Sequence, residues 1–214
     1  MSQKIEWQYV VTVDRWRALC ASLGARDPDP EYTRLLRAWR SWGRRYHTLA
    51  HLAACLAELD GVRRLAQSPT EVELALWYHD AVYRTWRADN ESLSAGMAHA
   101  FVRAVAGEEA ADRVRDLVLA TAHQAHSPVE DAALVVDIDL SILGKLAAEY
   151  DEFEKNVRRE YWWVPRRRFA QARRRILGSF LERPFIYNWP EFRERYETAA
   201  RSNLQRAMKA FSSP

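Results

Sequence analysis

The chain has 214 residues, 48% of them hydrophobic and 29% charged, with only 7 Gly and 8 Pro. That balance suits one well-buried helical domain and excludes a disordered, collagen-like or turn-rich sandwich chain. A net charge of +3 and a pI near 8.9 are too mild to argue by themselves for nucleic acid.

Cys20 and Cys55 lie far apart in apolar helical patterns and read as reduced core residues. The opening MSQKIEWQYV lacks the apolar core of a signal peptide, and no segment is apolar for long enough to cross a bilayer. The expectation is a soluble cytoplasmic protein.

Residues 13–23 form the first helix candidate, with Trp16, Leu19, Cys20 and Leu23 at helical spacing and Gly24 as the stop. Asp29 as cap and Pro30 as first residue open a second helix, along which Leu35, Leu36, Trp39 and Trp42 make an apolar side. A third is expected to open in residues 44–52, RRYHTLAHL, and to run to Gly61. On such a helix His47 and His51, four apart, share a face and can meet one site, or each fills its own polar niche.

Ser68, Pro69, Thr70 and Glu71 have the pattern of a capping box. The helix that follows has almost no polar face until it closes on the adjacent pair His79-Asp80, so it reads as buried. Two polar groups at the end of a buried helix need a hydrogen-bonded cap or a metal ion, and the dipeptide does not choose between them. Residues 81–87 read as a loop, and Asp89 or Asn90 as the cap of a helix running to Ala106, with Glu91 in its first turn.

A further helix covers residues 108–121, with His123 and His126 just past its end. Residues 134–140, LVVDIDL, read as a short helix rather than a strand because no partner strand is visible. Two apart on that helix, Asp137 and Asp139 diverge, so one of them faces any shared site. The last third carries no histidine and reads as helices over residues 146–161, 165–181 and 190–211, with arginine runs at 166–168 and 173–175 on what is expected to be a solvated face.

The ordered set His47, His79-Asp80 and Asp139 resembles the metal-dependent HD-domain phosphohydrolases. More narrowly, RRYHTLAHL, WYHDAVY, DNESLSA, DIDLSILG and REYWWVP with ILGSFLERPFIY resemble a bacterial subgroup predicted to be HD-superfamily phosphohydrolases, over roughly residues 46–204. The resemblance implies an all-α, HD-domain-like helical bundle in a single domain, 1–214. Its metal-binding core would cover about 44–145, and a C-terminal helical extension about 146–214. It also implies His47, His79, Asp80 and Asp139 as metal ligands, Asp139 being preferred to Asp137.

Two imidazoles and two carboxylates suit Mn, Fe, Co, Ni, Zn or Mg, one or two ions per chain. His51, His123 and His126 are the residues left for a second ion or a phosphate, while His99 reads as a helix-surface residue. An ion so held activates water against a phosphoester or phosphoanhydride. Arg44 or Arg45 is the candidate phosphate clamp, and Glu91 the candidate acid, base or orienting partner.

The expected partner is a small phosphorylated, nucleotide-like substrate. No membrane partner is expected, nucleic acid is disfavoured, and a homodimer is left open. Two other readings stay open: a di-iron oxygenase on a related all-α scaffold, and a non-catalytic nucleotide- or nucleic-acid-binding module.

Overall fold

The computed structural model describes residues 7–122 and 130–211. Among these residues every regular element is helical, so the fold is all-α. No helix is long and apolar enough to cross a membrane. The chain divides into two compact units, residues 1–139 and 140–214.

The first unit contains α1 (Val13–Ala21), α2 (Asp29–Trp39), α3 (Leu49–Val62), α4 (Pro69–Tyr78), α5 (Asn90–Ala106), α6 (Glu108–Ala120) and α7 (Glu130–Asp139). Helix α4 is its axis. It packs against α1, α3, α5, α6 and α7, and every residue from Val72 through Tyr78 is buried. Burial on all sides explains why its sequence has almost no polar face.

The one acid in that buried run, Glu73, receives Arg15 Nε at 2.7 Å and also pairs with Arg63. Arg15 in turn holds Asp60 at 2.8 Å. A buried carboxylate therefore has two guanidinium partners, which offset its desolvation. Helices α5 and α6 form an antiparallel pair joined at Gly107, whose φ of +90° lies in a region side chains rarely adopt.

Several local expectations are corrected. The third helix does not open at Arg44 but at Leu49, because Thr48 is in extended conformation and its side chain accepts the Ala50 N–H. The second begins one residue earlier than expected, with Pro28 at the cap, and Asp29 is paired with Arg17 instead of capping. That helix ends at Trp39, which leaves Trp42 exposed rather than in the core.

The capping box at α4 is not formed. Glu71 pairs with Arg113, and the backbone N–H groups of Gln67 and Ser68 each donate to the Asp131 carboxylate of α7 at 2.8 Å.

The second unit contains a 3₁₀ segment (Leu140–Gly144), α8 (Ala147–Glu160), α9 (Arg166–Leu181), α10 (Pro190–Phe192), a π turn (Arg193–Glu197) and α11 (Thr198–Ala210). Asn203 on α11 donates to the carbonyls of Leu143 and Lys145, and the Tyr187 hydroxyl donates to Leu140 O. The two Asn203 bonds satisfy carbonyls that the end of the 3₁₀ segment leaves open. Gly144 lies against the backbone of Tyr196, where a Cβ would stand 2.8 Å from the Tyr196 carbonyl oxygen.

Candidate metal centre

Three elements bring polar groups together inside the first unit. Helix α3 supplies His51 in its first turn, His79 caps the C-terminus of α4 with Asp80 next, and α7 supplies Asp139 as its last residue. His51 and His79 are both buried. Their Nε2 atoms stand 3.1 Å apart. Asp139 Oδ1 is 3.1 Å from His51 Nε2 and 3.6 Å from His79 Nε2. Asp80 Oδ2 is 3.2 Å from His79 Nε2 and 3.7 Å from His51 Nε2.

Four donors bound at about 2.1 Å to a common centre stand about 3.0 Å apart along an octahedral edge and about 3.4 Å apart along a tetrahedral one. Three of the five separations found here, 3.1, 3.1 and 3.2 Å, lie within that range, and the other two, 3.6 and 3.7 Å, lie slightly above it. Both the donor chemistry and the spacing therefore fit one divalent ion. The buried group His51, Cys55, His79 and Asp139 could hold a metal, its ligand atoms lying within 4.8 Å of one another. Cys55 Sγ, however, is 3.8 Å from both ring nitrogens of His51. Equidistance places the sulfur beside the ring and not beyond Nε2, so Cys55 borders the convergence point of the other four.

The surrounding structure orients the donors. His79 Nδ1 lies 2.8 Å from Leu76 O. A carbonyl can only accept, so Nδ1 carries the proton and Nε2 faces the carboxylates. Trp39, fixed by a 3.0 Å bond to Trp77 O, walls the site with its ring 5.3 Å from that of His79.

Burial alone would lower the His79 imidazole, but Asp80 and then Asp139 override it and push it up to about 9. His51 moves the other way, because burial outweighs the help of Asp139. Asp80 is held well below the usual carboxylate range: burial opposes this, and the nearby His79 and His47 imidazoles outweigh it. Two carboxylates against two buried imidazoles thus call for a positive charge, which a proton on His79 or a cation supplies.

The remaining sequence candidates fall at different distances from this centre. His47 precedes the Thr48 cap, so it is not on the helix that carries His51. Its ring stacks on Tyr83 with centroids 4.0 Å apart and stands 5.9 Å from the His51 ring. The converging imidazole is the one at His51, which sequence reasoning had reserved for a second ion or phosphate. His123 and His126 lie outside the described residues. Asp137 is fully buried and is not among the grouped donors, whereas Asp139 is.

Glu91 sits partly exposed in the first turn of α5 and forms no hydrogen bond with the converging residues. Arg45 is exposed. Arg44 is buried and already engaged. Its guanidinium donates to Ser41 Oγ, His47 O, Asp80 O and Ala81 O at 2.8 to 3.1 Å, and lies 5.4 Å from the ring centres of both Trp39 and Tyr83. It ties the segment before α3 to the turn after α4.

A cleft of about 360 Å³ beside Trp39, Arg44 and Thr48 is lined by none of the four converging side chains. His99 is partly exposed as expected, with Nε2 3.3 Å from carboxylate oxygens of both Glu108 and Asp112. Cys55 was missed as a neighbour of the site, although its place four residues after His51 was a usable signal.

No protein-family model, curated protein or solved structure matches the chain.

Proposed function

We propose that this protein is a metal-dependent phosphohydrolase acting on a phosphoester or phosphoanhydride of a nucleotide or related small molecule. The observation that carries this reading is the convergence of two buried histidines, His51 and His79, with Asp80 and Asp139 near ligand-edge spacing. The resemblance of the motifs around His79-Asp80 and Asp139 to HD-domain phosphohydrolases supports the choice of reaction.

His51, His79, Asp80 and Asp139 would hold the divalent ion. When bound, such an ion supplies Lewis-acid polarisation of a phosphoryl oxygen and a water of lowered pKa. The protein's own groups do the rest. Leu76 O holds His79 in the tautomer that presents Nε2, and Trp39 keeps solvent from that side. His47, partly exposed beside the centre and stacked on Tyr83, would give a proton to the leaving oxygen. Exposed Arg45 offers a guanidinium to the anionic substrate, while Arg44 acts through the backbone.

The test is metal content by elemental mass spectrometry on untagged protein, combined with hydrolysis of p-nitrophenyl phosphate esters. Wild type should hold about one equivalent of transition metal. His51→Ala and Asp80→Ala should lose it with helical circular dichroism intact. His47→Ala should keep the metal and lose turnover by about 10²-fold or more. Absence of bound metal after reconstitution with Mn, Fe, Ni and Zn would sink the reading.

A further inference from the structure

The overall charge of +3 conceals two opposite halves. Residues 1–139 carry 16 Lys and Arg against 20 Asp and Glu, a net −4, while residues 140–214 carry 16 against 9, a net +7. Much of that excess is on α9, which has six arginines and no acid.

Arg173 is the exception among the six, turned inward onto Glu154 at 2.8 Å. Arg166, Arg167, Arg168, Arg174 and Arg175 are exposed and form no ion pair among the described residues. Arginines elsewhere are commonly held by acids, as Arg15, Arg17, Arg34, Arg113 and Arg115 are. An arginine-rich codon composition raises arginine everywhere, but it does not clear acids from one helix.

The turn leading into α9 exposes two adjacent indoles, Trp162 at 67% and Trp163 at 48%. Large aromatic faces left in water beside uncompensated cations suit a ligand that is both anionic and aromatic.

We propose that this face of the second unit binds single-stranded nucleic acid, the α9 arginines meeting phosphates and Trp162 stacking on a base. From Arg166 to Arg175 the helix rises about 13 Å, long enough to meet two or three phosphates of an extended strand. The exposed indoles favour a single strand, since a duplex keeps its bases stacked on each other. A bilayer surface fits less well. Phe169, Leu177 and Phe180 of α9 are buried, and the one large apolar side chain it exposes, Ile176, is too little for a face to insert.

The experiment is fluorescence anisotropy of a labelled oligouridylate or oligothymidylate of about 15 nucleotides, titrated with the full chain between about 50 and 200 mM salt. Wild type should bind, with a log–log salt slope near about −2, as three phosphate contacts on a single strand give. A variant with Gln at all five exposed arginines should lose binding while keeping its helical spectrum. Trp162→Ala should weaken binding about tenfold with the slope unchanged.

Asp80→Ala should bind as wild type, so failure of the hydrolase reading leaves this result untouched. Three outcomes overturn the proposal: no anisotropy change at the lowest salt, binding unaltered in the glutamine variant, or binding to phosphatidylserine vesicles without binding to either oligonucleotide.

Discussion

Arg44 is the residue whose loss should separate architecture from chemistry most clearly. Arg44→Met keeps the apolar stem and removes the guanidinium. Left behind are the carbonyls of His47, Asp80 and Ala81, each now facing a side chain that cannot donate, together with Ser41 Oγ. Hydrogen bonds from a charged donor contribute about 1.5–3 kcal/mol each but do not add, and the flanking Trp39 and Tyr83 rings contribute about 1–2 kcal/mol more. A net loss of about 3–5 kcal/mol is the expectation.

In a protein of this size that loss lowers Tm by about 8–15 °C. Arg44→Lys should lose roughly half as much, because an ammonium keeps the charge but cannot span the same fork. Thermal melts by circular dichroism read the stability, and metal retention after dialysis reads the site. A Tm within about 2 °C of wild type for Arg44→Met would refute the argument. So would full metal retention in a variant whose melt is lowered as expected, because the guanidinium would then not be what sets Asp80.

Two further outcomes are expected away from the site. Burial, with a smaller contribution from Glu31, pushes the Cys20 thiol up to about 12, so at pH 8 its thiolate is only about one part in ten thousand. Iodoacetamide should therefore leave Cys20 unmodified, as mass spectrometry would show, until the protein unfolds. Because the folded value is raised, Cys20 protonation contributes stability below about pH 9 that is lost as pH rises toward 12. Gly144→Ala forces a methyl group against the Tyr196 backbone and should lower Tm by about 3–10 °C without changing metal content, since it lies in the second unit.

The all-α class was legible because its signal is carried by many residues at once. The continuous apolar run of α4 could only be a helix covered on every side, and Val72 through Tyr78 are all buried. Helix ends were less legible because their partners are remote. The Ser68 N–H that a capping box would have given to Glu71 goes instead to Asp131, 63 residues beyond Ser68. No local pattern encodes that choice. The charge of the second unit was hidden for a similar reason: it emerges only once the chain is divided after Asp139, and averaging over 214 residues removes it.

The site itself was legible in residue types, but which of two imidazoles converges with His79 depends on a single cap. The segment RRYHTLAHL has helical spacing throughout, and nothing in its periodicity says whether the helix begins at Arg44 or at Leu49. Begun at Arg44, the helix would aim His47 and His51 the same way, one turn apart, and either could serve as the ligand.

Thr48 ends that ambiguity by taking the extended conformation and accepting the Ala50 N–H, which uncouples His47 from the helix face. Arg44 then fixes where the uncoupled segment goes, because its bonds to His47 O and to Asp80 O make the two sides of the site one rigid piece. His51 is left as the imidazole whose Nε2 meets that of His79, while His47 stays beside the centre, partly exposed. A hydroxyl and a buried guanidinium, neither of them among the converging donors, thus decide which histidine converges with His79 and which stays beside it.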